Sequence, residues 1–139
     1  IKSGSDRSWM ATSLTFFIGK AASNQIPIRI SIYEVDPACD CPGQALHAQN
    51  IFIAGKKGKN KVDLSEYRIV LDKDFYLAFE WLPVADKRKN KLDFSIGMIP
   101  VKSDYPLVER VGGLEWQPLK KGAYSRVLVR LEGKKLYQD

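Results

Sequence analysis

The chain has 139 residues, of which 45% are apolar and 11% aromatic. That is one domain's worth of sequence, too rich in aromatic and β-branched residues for a disordered chain and without the ~18-residue apolar run of a membrane-spanning helix. Twenty-two Lys and Arg against sixteen Asp and Glu leave a net charge of +6, which suits anionic polymers or surfaces if it is clustered and plain solubility if it is not.

The hydrophobic pattern has period two from end to end. Leu14, Phe16 and Ile18 alternate with Ser13 and Thr15, and Ile28, Ile30 and Ile32 with Arg29, Ser31 and Tyr33. Ile51 and Ile53 flank Phe52, and Phe75, Leu77, Phe79 and Trp81 alternate with Tyr76, Ala78 and Glu80. Leu92 to Met98 and Val127 to Leu131 repeat the pattern. Successive side chains of a strand face opposite ways, so each segment offers one face to a core. Turn-forming residues separate the segments at 19–27, 37–43, 55–60, 83–90, 100–113 and 120–122. No stretch carries a helical period. We expect an all-β fold, an antiparallel two-sheet β-sandwich of jelly-roll or Greek-key type, forming a single domain over residues 1–139. Because the chain starts at Ile1 rather than Met, we also expect a piece excised or matured from a longer protein.

The positive charge gathers at two Gly/Asn-containing links. Lys56, Lys57 and Lys59 lie in the first, and Lys87, Arg88 and Lys89 in the second. Both read as solvated hairpin tips, and these six residues are the candidate anion-binding groups. Cys39 and Cys41 are separated by Asp40 alone. Such near neighbours rarely pair, and we expect two thiols in a variable loop. A structural zinc site takes four ligands, with His47 as a third and Asp36 or Asp40 as a fourth, but the spacing fits no zinc pattern. No metal and no cofactor is expected. Two carboxylates fall short of the oxygen set that Ca²⁺ needs, so Asp36 and Asp40 make a poor calcium loop.

A longer motif runs from Arg29 to Leu82. It reads Arg29-Ile-Ser-Ile-Tyr33-Glu-Val-Asp36, Pro42-Gly43, Asn50-Ile51-Phe-Ile53, Lys61-Val-Asp63-Leu-Ser65-Glu-Tyr67-Arg-Ile69 and Asp74-Phe75-Tyr-Leu-Ala-Phe79-Glu80-Trp81-Leu82. This stretch resembles the β-sandwich portion of Bacteroidetes cell-envelope proteins labelled carboxypeptidase-regulatory-like-domain proteins. The Cys39-Asp40-Cys41 loop and the Lys56–Lys61 tip depart from that pattern. The resemblance implies an exported sandwich, periplasmic or outer-membrane-associated, whose partner is an envelope protein complex or a glycan. It implies no peptidase activity and supplies no catalytic residue.

The residues themselves point the same way. Asp63 or Ser65 can accept backbone N–H groups in a turn, and Glu80 on an outer sheet face is either exposed to water or paired with a cation such as Arg29. The lone His47 has no nucleophile elbow near it, and the pairs Asp72/Asp74 and Asp36/Asp40 are ordinary loop-end charge without a cleft. Among the aromatics Trp9, Trp81, Trp116, Tyr105 and Tyr124, we take Trp116, Tyr105 and Tyr124 as the candidate ligand-stacking set and Trp81 as core. P-loop, dinucleotide, zinc-finger and RNA-binding sheet signatures are absent. The expected function is therefore non-catalytic: a binding or assembly module contacting protein or glycan. A carboxylate-dependent glycan-active enzyme is the competing reading, and binding of nucleic acid or another acidic polymer through the basic tips is less favoured.

Overall fold

In the computed structural model the described residues are 8–21, 25–82, 94–96, 98–99, 108–109, 117–118, 126–127 and 129–136; at residues 20, 21, 81 and 94–127 of that set only the backbone is described. Two long strands organise them, β1 (Trp9–Ala21) and β2 (Ile26–Asp36). Each is the centre of one antiparallel sheet.

The elements after β2 run β3 (Cys41–Ala45), β4 (Ile51–Gly55), β5 (Gly58–Asp63), a 3₁₀ turn (Ser65–Tyr67), β6 (Val70–Leu71) and β7 (Phe75–Trp81). Shorter strands follow: β8 (Phe94–Ile96), β9 (Met98–Ile99), β10 (Val108–Glu109), β11 (Gln117–Pro118) and β12 (Arg126–Val127). The last is β13 (Val129–Lys135). In the first sheet Leu14 of β1 pairs with Val62 of β5 on one side and Leu131 of β13 on the other. β6 and β8 extend these two sides, at Trp9↔Leu71 and Ile18↔Ile96. In the second sheet Ile30 of β2 pairs with Phe79 of β7 on one side and Ile51 of β4 on the other. β3 joins β4's side further along, at Tyr33↔Ala45. Two small ribbons, β10–β11 and β9–β12, complete the described strands.

The inward rows are those that the alternation selects. Leu14, Phe16 and Ile18 from β1 meet Ile28, Ile30 and Ile32 from β2, with Ile51, Leu64, Ile69, Leu71 and Phe75 closing the core; all are essentially inaccessible. Burial of each such side chain is worth about 1.5–3 kcal/mol. The layers lock through Phe16 against Phe79, with centroids 4.8 Å apart. Trp9 meets Phe75 edge-on at 6.4 Å. Gly55 leaves room for the core side chains of both sheets, since a Cβ there would lie 2.7 Å from Ile28 Cδ1 and 2.9 Å from Ile18 Cδ1. The fold is an all-β two-sheet sandwich, as expected.

Several local expectations need correcting. The stretches 37–43 and 55–60, read as turns, contain the starts of β3 and β5. In β5 the inward positions are Asn60 and Val62, while Lys59, Lys61 and Asp63 are exposed, so a real strand is hidden in a polar composition. The stretch 100–113 holds β10, and while β8 and β13 pair with β1, β9 and β12 pair with each other. Trp9, offered as a stacking aromatic, lies half-buried over Gly133, where an added Cβ would be 1.7 Å from its ring. The expected core role of the Trp81 side chain lies outside the described residues.

Candidate functional site

Three cross-strand rows follow one another on the non-core face of the second sheet, which is exposed at Phe52 and buried at Ser31. Arg29 of β2 stands between Phe52 of β4 and Glu80 of β7. Ser31 is beside Ala78, and Tyr33 beside Tyr76. Arg29 Nε donates to Glu80 Oε2 at 2.7 Å, and Nη2 donates to the same oxygen, so of the two states open to Glu80 the paired one is present. Both partners are only part-buried, which holds the pair's worth to roughly 0–1 kcal/mol. Its effect is geometric: it fixes a charged hydrogen-bonding group in the middle of the face. Phe52 beside it keeps 57% of its surface exposed, an unusual position for a phenyl ring. Tyr33 and Tyr76 lie four residues further along β2, roughly 13 Å away at ~3.3 Å per residue. Both rings are half-buried, and Tyr76 Oη donates to the Asp40 carbonyl at 2.5 Å. Burial first, and the Asp40 carboxylate second, push the Tyr76 phenol above its ordinary range.

The same strand β4 leads into the basic tip. A crevice of about 440 Å³ opens between β4 and β5, lined by Ile53, Ala54, Lys56, Lys59, Asn60, Lys61 and Val62. Its lining holds three lysines and no acid. Asn60 builds its frame: Oδ1 accepts the Lys56 N–H at 2.9 Å, and Nδ2 donates to the carbonyls of Lys56 (2.8 Å) and Gly58 (3.1 Å). Gly58 takes φ +92°, a conformation that residues with a Cβ resist. The lysines of the tip are exposed, as a solvated tip has them, and the Asn60 bonds brace its backbone. Lys57 is exposed at its apex and does not line the crevice.

At the far end of β2, Cys39 and Cys41 are joined in a disulfide, with their Cα atoms 5.2 Å apart. This corrects the expectation of two free thiols. Asp40 between them adopts φ +55°, a left-handed bend that brings the two cysteines to one side of the turn. The Asp36 carboxylate joins the two sulfurs, all three candidate ligand atoms lying within 4.8 Å of one another. His47, the third ligand that a zinc site would have needed, is elsewhere. Its Nε2 accepts the Ile32 N–H at 3.1 Å, and its Nδ1–H donates to the Gln49 carbonyl at 2.7 Å. The ring thus occupies the break between β3 and β4, where residues 46–50 leave the ladder, and the Leu46 N–H donates to the Ile32 carbonyl at 2.8 Å. Both ring nitrogens bond to backbone, which leaves His47 no free nitrogen for a nucleophile or an ion.

Among the paired acids, Asp72 and Asp74 are exposed. Asp63 caps the 3₁₀ turn by accepting the Ser65 N–H at 2.9 Å. That bond, the Ser65 hydroxyl and the charge of Lys61 together hold its carboxyl below the usual range, against a small opposing effect of burial. Trp116, Tyr105, Tyr124, Lys87, Arg88 and Lys89 lie outside the described residues. Phe52 and Tyr33 were not singled out from sequence, although the alternation that sends Ile51, Ile53 and Ile32 inward sends both outward. Comparison with protein-family models, with curated proteins and with solved structures found no match. Among the described residues no helix is long and apolar enough to cross a membrane.

Proposed function

We propose that this chain is a non-catalytic glycan-binding module of a bacterial cell envelope. Its contact surface is the outer face of the β2 sheet, and its ligand is an acidic glycan. The observation that carries the reading is the exposed Phe52 ring beside the Arg29–Glu80 pair. A sugar presents apolar C–H faces and hydroxyls together, and an aromatic ring next to fixed hydrogen-bonding groups answers both. Ala54, exposed on the same strand, carries the face to the lysine-lined crevice, and there the positive charge favours carboxylate- or sulfate-bearing sugars. The Cys39–Cys41 disulfide supports an exported location, since such bonds persist in oxidising compartments.

A glycan array including acidic polysaccharides, followed by calorimetry on the best ligand, tests the reading. Phe52→Ala, at an exposed site, keeps the fold and weakens binding by roughly tenfold, the ~1–3 kcal/mol of a lost ring–ligand stack. Lys59→Gln with Lys61→Gln weakens binding of acidic ligands and flattens its salt dependence. A wild-type chain that binds no glycan, or a Phe52→Ala chain that binds as well as wild type, overturns it. Capture of an envelope protein that depends on Phe52 assigns the face to a protein partner instead.

A further inference from the structure

The turn between β2 and β3 has chemistry that a glycan-binding face does not use. We propose that it is a redox-gated cation site: closed while Cys39 and Cys41 are joined, and open to one thiophilic divalent ion once they are reduced. The ion would be held by the two thiolates and the Asp36 carboxylate.

Three observations carry this. First, the donors are already assembled, with both sulfurs and an Asp36 oxygen within 4.8 Å of one another. Two sulfur ligands and one carboxylate select zinc-like ions over calcium or magnesium, which take oxygen donors. At a Zn–S distance of ~2.3 Å, tetrahedral geometry places two sulfurs roughly 3.8 Å apart, so the thiols need to separate only to ordinary contact distance. Solvent fills the remaining position, as in open zinc sites.

Second, the turn is built without help from the S–S bond. The Asp40 N–H donates to the Asp36 carbonyl at 2.8 Å, and the Cys39 N–H reaches it at 3.4 Å. The Ala38 N–H donates to Asp36 Oδ1 at 2.9 Å, which orients the carboxylate, and Tyr76 Oη ties the Asp40 carbonyl to the sheet. Reduction therefore leaves the donors near where they stand. Third, the bond is reachable and structurally dispensable. Cys39 is exposed and Cys41 half-buried. With one residue between them, the bond closes so short a loop that it restrains the unfolded chain little.

Opening the site is a two-electron exchange. An external dithiol attacks the S–S bond, becomes a disulfide itself, and leaves one proton on each of Cys39 and Cys41. The ion then displaces both protons as it binds the thiolates.

The test uses the whole chain in two states, oxidised and reduced by a phosphine, which ends as the phosphine oxide and does not compete for metal as a dithiol would. Each is titrated anaerobically with Co²⁺ and with Zn²⁺ alone. The reduced chain should bind one ion and develop a sulfur-to-cobalt charge-transfer band, while the oxidised chain develops none. Asp36→Asn should keep the band but weaken affinity by at least the ~10–100-fold typical of losing an outer-shell partner. Cys39→Ser with Cys41→Ser should abolish the band, and unchanged β-sheet circular dichroism verifies that the variant is folded. A reduced wild-type chain that binds no more metal than the double-serine variant, or a band equally strong in the oxidised chain, overturns the proposal.

Discussion

Replacing His47 with alanine tests whether the lone histidine is a structural plug. The Ile32 N–H belongs to a fully buried residue at the centre of β2 and finds its acceptor in His47 Nε2 at 3.1 Å. Truncation leaves that donor without a partner where the ladder is interrupted, at a cost of about 1–3 kcal/mol. The Nδ1–H bond to the Gln49 carbonyl is lost too, but that carbonyl is exposed and water replaces the ring, so this adds about 0.5 kcal/mol at most. The net expectation is about 2 kcal/mol, or a fall of roughly 6–8 °C in Tm for a domain of this size. Urea unfolding gives the free energy, and amide hydrogen exchange gives the location. The Ile32 amide should lose protection beyond that of core amides such as Leu14, whose cross-strand neighbours are untouched. A loss below about 0.5 kcal/mol with Ile32 protection intact would refute the assignment, because a surface substitution of no consequence costs that little.

Gly133→Ala forces a methyl group to within 1.7 Å of the present Trp9 ring position and 2.9 Å of the Met10 carbonyl. The ring has to leave its place over the core edge, costing about 1–3 kcal/mol, and the tryptophan emission should shift to the red; unchanged stability and emission would contradict the packing. Asn60→Ala removes three hydrogen bonds from the basic tip. It should cost about 2–3 kcal/mol and make trypsin cut first after Lys56 or Lys57, whereas a tip as resistant as wild type would mean that Asn60 does not hold it. The lowered pKa of Asp63 makes its contribution to stability complete above its unfolded value of 3.8 and lost as pH falls through the lower folded value. Urea midpoints measured down through this acid range should therefore fall less for Asp63→Asn, which keeps an oxygen for the Ser65 N–H, than for wild type; parallel curves would count against the cap.

What could be read from the sequence was whatever depended on burial. β7 emerges from the alternation of Phe75 to Trp81 residue for residue, and the isoleucine row of β2 fixes which face is core. The Arg29–Glu80 pair was only half legible, because an acid on a sheet face is satisfied by water as well as by a cation, whereas the Asp63–Ser65 turn was legible because short polar side chains compete for backbone N–H groups. β3 and β5 escaped because neither strand writes its pairing in apolar side chains. β5 carries Asn60 inward, and that residue belongs there only because its three bonds satisfy it. The disulfide escaped for a backbone reason, since bringing Cys39 to Cys41 takes the left-handed bend at Asp40, which composition does not announce. His47 was read as a surface or half-buried residue near a strand and is half-buried, yet its task, replacing a missing ladder partner, depends on a strand break that only the register reveals.

The pairing of β1 with β13 sets Trp9 opposite Lys135, so the first described strand is zipped to the last. Contacts that far apart in the chain form slowly, because the intervening segment must be gathered before they give anything back. A ribosome must have extended the chain past residue 135 before that flank of β1 finds its mate. Until then the nascent chain carries a sticky, half-clothed ribbon, which makes the arrival of β13 the step that commits this sheet to its native state.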